Sequence, residues 1–159
     1  MQGERFLLRL GKQIVEEMAR HARETFPEEC CGVILATEAG DLVRRCTNIQ
    51  NRLHAQDRAS HPRDARTAYY IDPVEVQQIL NEADRRGWAI KVIYHSHPDH
   101  EAYFSAEDRT RALAPWGDPL FGEAAYVVVS VVARQVRQMK AFAWDPAARD
   151  FVEVPIEAA

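Results

Sequence analysis

The order of apolar runs along this chain constrains its fold more than any other feature of the sequence. WAIKVIYH and AYVVVSVVA are short runs dominated by apolar residues, which is typical of strands buried in a sheet. CGVILA has the same character, and LVRRCTNI follows it across a turn signal, so these two segments predict a hairpin. Buried strands therefore occur both early and late in the chain.

Helix signals precede the first of these runs and occupy two of the intervals between them. Apolar residues recur at helical spacing over residues 10–25 and predict an opening amphipathic helix. A second helix is predicted to begin after the N-cap Asp72, with Glu75 as its capping-box partner, and to end at Gly87. A third helix is predicted to begin at Ser105.

The resulting order is helix, hairpin, helix, strand, helix and then strands, of which the last two are VRQMKAFAW and DFVEVPI. This order lacks the strict alternation of strand and helix that a doubly wound parallel sheet requires. We therefore expect an α/β fold with a mixed, mostly antiparallel sheet and helices packed on it. The length of 159 residues is enough for one sizeable core, so residues 1–159 are predicted to form a single domain.

The composition limits the binding partners and the cellular compartment that we expect for this protein. A net charge of −4 gives no general electrostatic reason to bind nucleic acid or an anionic membrane, so we expect neither partner. No apolar stretch approaches the roughly 20 residues of a membrane span, and the N-terminus lacks a signal-peptide pattern, which predicts a cytoplasmic protein. The cysteines Cys30, Cys31 and Cys46 are predicted to be buried apolar residues and not a disulfide framework.

Residues 51–68 are polar, rich in arginine and without a hydrophobic period. We interpret this segment as a mobile loop or a substrate-contacting insertion within the domain, with Arg58, Arg63 and Arg66 as the side chains that could touch a substrate. A simply solvated loop is the commoner alternative. The histidines of this segment, and His21, receive no predicted role.

The candidate metal-ligating residues lie at and after the end of the WAIKVIYH strand. His95 and His97 are two residues apart, so their side chains leave the same face of a strand and can converge on one ion. Asp108 lies in the first turn of the third helix, where a returning loop can bring its carboxylate to the same point. The loop residues Asp99 and Glu101, with His100 between them, remain open as extra ligands or substrate contacts.

Two imidazoles and one carboxylate leave a fourth tetrahedral position for water, which is the pattern of a catalytic zinc site and not of a structural one. Zinc lowers the pKa of that water toward roughly 7 and polarises a substrate carbonyl. A nearby carboxylate must still accept the proton. The sequence thus predicts one Zn²⁺ per chain, with a bound water, held by His95, His97 and Asp108.

The sequence resembles the JAMM (MPN+) metalloprotease family, also called the Mov34 or JAB1 family, in its bacterial single-domain type. The family pattern is a glutamate ahead of the first core strand, followed by H-x-H, seven residues, S, two residues and D. His95-Ser96-His97, Ser105 and Asp108 match it without a gap. The segment PEECCG, at residues 27–32, looks like the P-x-E-x-C-G segment of bacterial members.

The resemblance implies a curved sheet of the MPN/JAB, cytidine-deaminase-like fold. It also implies that Glu29 activates the metal-bound water and later protonates the leaving amine, while Ser105 helps to hold the oxyanion. Spacing alone does not separate Glu29 from its neighbour Glu28, which stays the nearest rival for the base. Ser105 is also a serviceable helix N-cap, a role that is compatible with catalysis.

Family members usually cleave after the C-terminal Gly-Gly tail of ubiquitin or of a ubiquitin-like protein. In bacterial relatives of this size the substrate is often a sulfur-carrier protein with the β-grasp fold. The alternatives are a non-catalytic MPN-type scaffold and a zinc peptidase with an unrelated peptide substrate. A zinc nucleobase deaminase is rejected, since its H-x-E and P-C-x-x-C motifs do not occur. The sequence does not fix the oligomeric state.

Overall fold

The computed structural model of the protein describes residues 6–159. Residues 1–5, which belong to the N-terminal stretch without a predicted signal peptide, lie outside the described residues. The described elements, in chain order, are β1 (Leu8–Leu10), α1 (Lys12–Thr25), β2 (Cys31–Thr37), β3 (Gly40–Cys46), α2 (Gln50–Gln56), α3 (Pro73–Arg86), β4 (Ala89–Pro98), α4 (Ala106–Arg111), β5 (Ala125–Val132), β6 (Gln135–Asp145), β7 (Asp150–Val154) and β8 (Ile156–Ala158).

Six strands form one sheet in the order β3-β2-β4-β5-β6-β7. Every neighbouring pair in this sheet is antiparallel except β4 and β5, which run parallel. Strands β1 and β8 form a separate parallel pair. The predicted α/β fold with a mixed, mostly antiparallel sheet is therefore confirmed.

Both faces of the sheet are covered, which explains why its central strands are apolar runs without alternation. On one face, Met18 and Ala22 of α1 join a core that includes Ile34 and Val127. On the other face, Ile79 of α3 belongs to a second core, together with residues of β2, β4 and β5. Strands β4 and β5 lie between the two cores, so the predicted metal ligands begin from the most buried part of the sheet.

Two predictions about the helices need correction. The opening helix begins at Lys12 and not at residue 10, because Leu8 and Leu10 alternate inward on strand β1 and pair with β8. At the second helix, Asp72 accepts a hydrogen bond from the Val74 N–H, as an N-cap should. Glu75 does not complete a capping box there; its carboxylate instead accepts the main-chain N–H of Thr47, which fastens α3 to the end of β3.

The polar segment 51–68 is not an irregular loop throughout, because helix α2 extends to Gln56. The rest of the segment, after α2, is held to α2 by hydrogen bonds between α2 side chains and the main chain of the segment. Gln50 Nε2 donates to the Arg63 carbonyl at 2.9 Å, and the Ala65 N–H donates to Asn51 Oδ1 at 2.8 Å. The segment is therefore folded against α2.

The structure contributes two further observations on the described residues. None of their helices is both long enough and apolar enough to cross a membrane. The three cysteines are free thiols, with Cys30 and Cys31 buried and Cys46 partly exposed.

Candidate metal centre

The two histidines lie on the last part of β4, which continues beyond the predicted WAIKVIYH run to Pro98. His95 pairs with Cys31 of β2 on one side and with Val128 of β5 on the other. It is fully buried, and His97 is 6% exposed. The main chain of His95 is therefore held between two neighbouring strands, and that of His97 pairs with Ser130 of β5.

The carboxylate of Asp108 is fixed by the N-terminus of α4. The Asp108 N–H donates to Ser105 Oγ at 3.0 Å, and the Ser105 N–H donates to Asp108 Oδ2, also at 3.0 Å. This reciprocal pair is a capping box, so the residues that begin the helix also orient the carboxylate. Asp108 is buried, although it lies in a helix of six residues.

Three ligand atoms converge to form a triangle. His95 Nε2 lies 3.2 Å from His97 Nε2 and 3.1 Å from Asp108 Oδ2, and His97 Nε2 lies 3.4 Å from the same oxygen. Tetrahedral zinc with bonds of about 2.0–2.1 Å separates its ligand atoms by about 3.3–3.4 Å. The triangle has the size and the donor types that such an ion requires, and the group could hold a metal ion.

The orientation of the imidazoles supports the same fit. His97 Nδ1 lies 2.8 Å from the Glu101 carbonyl, which can only accept, so Nδ1 carries the proton. In the neutral ring the Nε2 lone pair then points into the triangle. The ring of His95 stacks on Tyr69 with centroids 4.3 Å apart and planes inclined by 20°. A main-chain oxygen and an aromatic ring thus hold the two histidines.

The charge of Asp108 also suits a ligand. Burial opposes ionisation, but His95, His97 and the Ser105 main chain outweigh it and hold the pKa of Asp108 well below its usual range. The carboxylate therefore stays ionised in a site that is closed to most of the solvent.

Glu29 shares a cavity of about 350 Å³ with His97, Ser105 and Asp108. The Glu29 side chain is buried, and its main-chain N–H donates to the Ala65 carbonyl at 2.7 Å. Burial first, and the neighbouring Asp108 carboxylate second, raise the pKa of Glu29 to about 9. The carboxyl is thus poised to bind a proton within the cavity.

Glu28 and Glu29 differ in their surroundings, although they are adjacent in sequence. Glu28 is not among the residues that line the cavity, and its carboxylate accepts a hydrogen bond from Asn51 Nδ2 at 2.9 Å. The structure therefore brings only one of the two rival carboxylates to His97 and Asp108.

The three open loop candidates have different positions. Asp99 turns away and accepts the Ala133 N–H, and Glu101 contributes its main-chain carbonyl to His97. His100 lines the cavity. Its side chain is exposed, and it is not part of the triangle of ligand atoms.

Sequence reasoning missed several residues that support the site. Ser96 lies between the two histidines and accepts the Cys30 N–H through its hydroxyl at 2.8 Å. Asn48 Nδ2 donates to the Glu29 carbonyl at 3.0 Å. Tyr69, which stacks on His95, gave only the general signal of an aromatic residue after a polar segment. None of these roles has a local sequence pattern, because each partner is distant along the chain.

Comparisons with known proteins identify a family and relatives for this chain. The family model described as prokaryotic homologs of the JAB domain matches residues 11–145. The CysO-cysteine peptidase of Mycobacterium tuberculosis (strain ATCC 25618 / H37Rv) is 30% identical over 125 residues, which cover 79% of this chain and 74% of the relative. The desampylase of Haloferax volcanii is 33% identical over 117 residues, which cover 68% of this chain and 74% of the relative.

The fold has solved counterparts as well. The solution structure of a protein from Desulfitobacterium hafniense aligns with a TM-score of 0.69 at 22% identity, covering 97% of this chain and 93% of that one. At this level of identity the likeness concerns the fold alone.

Proposed function

This chain belongs to the prokaryotic homologues of the JAB domain, and from that premise we propose that it is a zinc-dependent peptidase. Its reaction is hydrolysis of the peptide or isopeptide bond after the C-terminal Gly-Gly tail of a ubiquitin-like or sulfur-carrier β-grasp protein. The names of two relatives, a CysO-cysteine peptidase and a desampylase, support a hydrolase of this class. The observation that carries the proposal is the shared cavity of Glu29, His97 and Asp108.

His95, His97 and Asp108 are the residues that would hold the ion. When bound there, zinc supplies a Lewis acid that makes water acidic enough to lose a proton near neutral pH and that polarises the scissile carbonyl. The buried, ionised Asp108 and the oriented His97 suit this role.

Glu29 is the proposed general base and, later, the general acid. Its carboxyl accepts a proton from the attacking water and returns that proton to the leaving amine nitrogen as the amide bond breaks. Burial raises the pKa of this carboxyl, so it retains a proton between the two steps more readily than an exposed glutamate would. A cation in the adjacent triangle would lower the same pKa and return the group to its basic form for the next cycle.

Ser105 combines two tasks in this proposal. Its oxygen accepts the Asp108 N–H, which caps α4, and its hydroxyl hydrogen is left to donate to the developing oxyanion. Capping and oxyanion stabilisation use different atoms of the same hydroxyl and do not compete.

The experiment that tests the function incubates the zinc-loaded protein with β-grasp proteins extended past Gly-Gly and follows the product mass. We expect release of a product that ends in Gly-Gly. Glu29→Gln should lower the rate by about 10² to 10⁴, the usual contribution of a general base. Glu28→Gln is the matched control, because its carboxylate lies outside the cavity, and it should stay close to wild type.

Two results would contradict the proposal. Cleavage by Glu29→Gln at the wild-type rate would refute the assigned base. A purified protein that takes up no metal and cleaves no extended tail would favour a scaffold, the non-catalytic alternative.

A further inference from the structure

We infer that Arg63 binds the free α-carboxylate of the leaving group, so that the substrate is a tail extended by a single amino acid through an ordinary α-amide. This inference rests on the proposed function and deepens it. A tail that is joined to a lysine side chain of another protein would be the poorer substrate.

Arg63 lies in the cavity with Glu29, Ser105 and Asp108. Its main chain is held in position, since its carbonyl accepts a hydrogen bond at 2.9 Å from Gln50 Nε2, and Gln50 is only 1% exposed. Two residues further on, the Ala65 carbonyl binds the Glu29 N–H. The main chain of Arg63 is therefore anchored on the Glu29 side of the cavity.

The guanidinium of Arg63 is available to a ligand. Its only ion pair among the described residues is a loose contact at 3.9 Å between Nε and Glu107 Oε1, and its side chain is 56% exposed. Glu107 is already shared, because its other oxygen lies 3.5 Å from Arg111. The nearby Arg66 differs, since it pairs with Asp64 at 3.0 Å and does not line the cavity.

The position of Arg63 suits a leaving group that carries a carboxylate next to its amine. In the proposed reaction the leaving amine receives its proton from Glu29, so the amine lies on the same side of the cavity as Arg63. A free α-amino acid carries its carboxylate on the very carbon that bears this amine. A lysine ε-amine is separated from its own carbonyl by the whole side chain, and that carbonyl is an uncharged amide within a protein.

Size and geometry agree with a single residue. A cavity of about 350 Å³ is near the small end of the range of about 300–1,000 Å³ for ligand sites. A guanidinium offers paired donors that match the two oxygens of a carboxylate, whereas the exposed His100 at the same cavity offers one N–H in any one direction. We therefore assign the carboxylate to Arg63 and not to His100.

The test compares three substrates built on one Gly-Gly-tailed β-grasp protein: an added alanine with a free carboxylate, the same alanine as a carboxamide, and an isopeptide to lysine. The zinc-loaded wild type should cleave the free carboxylate with a kcat/KM about tenfold or more above the other two. Arg63→Ala should remove this preference by slowing only the carboxylate substrate, mainly through KM. Arg63→Lys should retain part of the preference for the free carboxylate. Arg66→Ala, which removes one positive charge as Arg63→Ala does, should retain all of this preference.

Each other outcome overturns the inference. Equal cleavage of the carboxylate and the carboxamide by the wild type, or an equal loss of both in a folded Arg63→Ala, would remove it and leave the proposed function standing. Loss of the preference in His100→Ala instead would reassign the carboxylate. Failure of the wild type to cleave any of the three would overturn the proposed function and this inference together. Thermal melting of each variant checks that it is folded.

Discussion

Tyr69 stacks on His95, with ring centroids 4.3 Å apart and planes inclined by 20°. Tyr69 directly follows the polar segment 51–68, whereas His95 belongs to an interior strand of the sheet. The contact therefore links the segment that follows α2 directly to a proposed metal ligand.

Tyr69→Leu should weaken zinc binding by about tenfold, because the imidazole of His95 loses the flat surface that fixes its ring. Competition with a zinc chelator measures the affinity. Tyr70→Leu is the control, since Tyr70 is 39% exposed and packs on His61 instead. Equal affinities for Tyr69→Leu and wild type would mean that the strand alone orients His95.

Removal of metal should lower the melting temperature, since three buried ligand atoms at 3.1–3.4 Å then face one another without a cation. Differential scanning calorimetry with and without a chelator measures the change. Asp108→Ala should remove most of the response, and His100→Ala, whose side chain lies outside the triangle, should keep it. A chelator-insensitive wild type would argue against a metal held by these residues.

The stability of the metal-free protein should fall as pH rises, because of Glu29. Burial raises the folded-state pKa of this acid from 4.5 to about 9, so the fold favours the protonated form. Its stabilising contribution is complete below pH 4.5 and is lost progressively as pH rises through about 9. Urea unfolding of wild type and Glu29→Gln from pH 5 to 9.5 should give curves that diverge in favour of the variant. Parallel curves would show that Glu29 ionises freely in the fold.

Gly32→Ala should destabilise the protein by about 1–3 kcal/mol, the usual cost of overpacking. A Cβ at this position would meet the ring of Tyr94 at 2.5 Å, and Tyr94 is fully buried next to His95. Gly11→Ala is the matched control, because its Cβ would enter open space. Equal urea midpoints for the two variants would contradict the close approach.

The convergence of His95, His97 and Asp108 could be predicted from the sequence because the information for it is local. A period of two on a strand brings His95 and His97 to one face, and the N-cap of the following helix locates Asp108. Glu29 is a different case, since the spacing of residues does not distinguish it from Glu28. The family resemblance favoured Glu29, and in the structure Glu29 lines the cavity whereas Glu28 does not.

The features that the sequence did not predict, helix α2, strand β1 and the role of Tyr69, depend on contacts between distant parts of the chain. Helix α2 carries no apolar stripe that would announce it, and its folded surroundings depend on hydrogen bonds across the following segment. Strand β1 has three residues, and its partner β8 lies at the opposite end of the chain. Tyr69 is buried against His95, which lies far from it along the chain, and no local period of the sequence encodes this contact.

The two kinds of ligand in the triangle are attached to parts of the molecule with different resistance to local opening. His95 is in an interior strand, hydrogen-bonded to β2 and β5, whereas Asp108 is in a helix of only six residues. Amides of β4 should therefore exchange with solvent deuterium only through global unfolding, whether or not the ion is bound. The amides of α4 should become more protected when the ion is bound, because Asp108 ties this short helix to the histidines of the sheet through the ion.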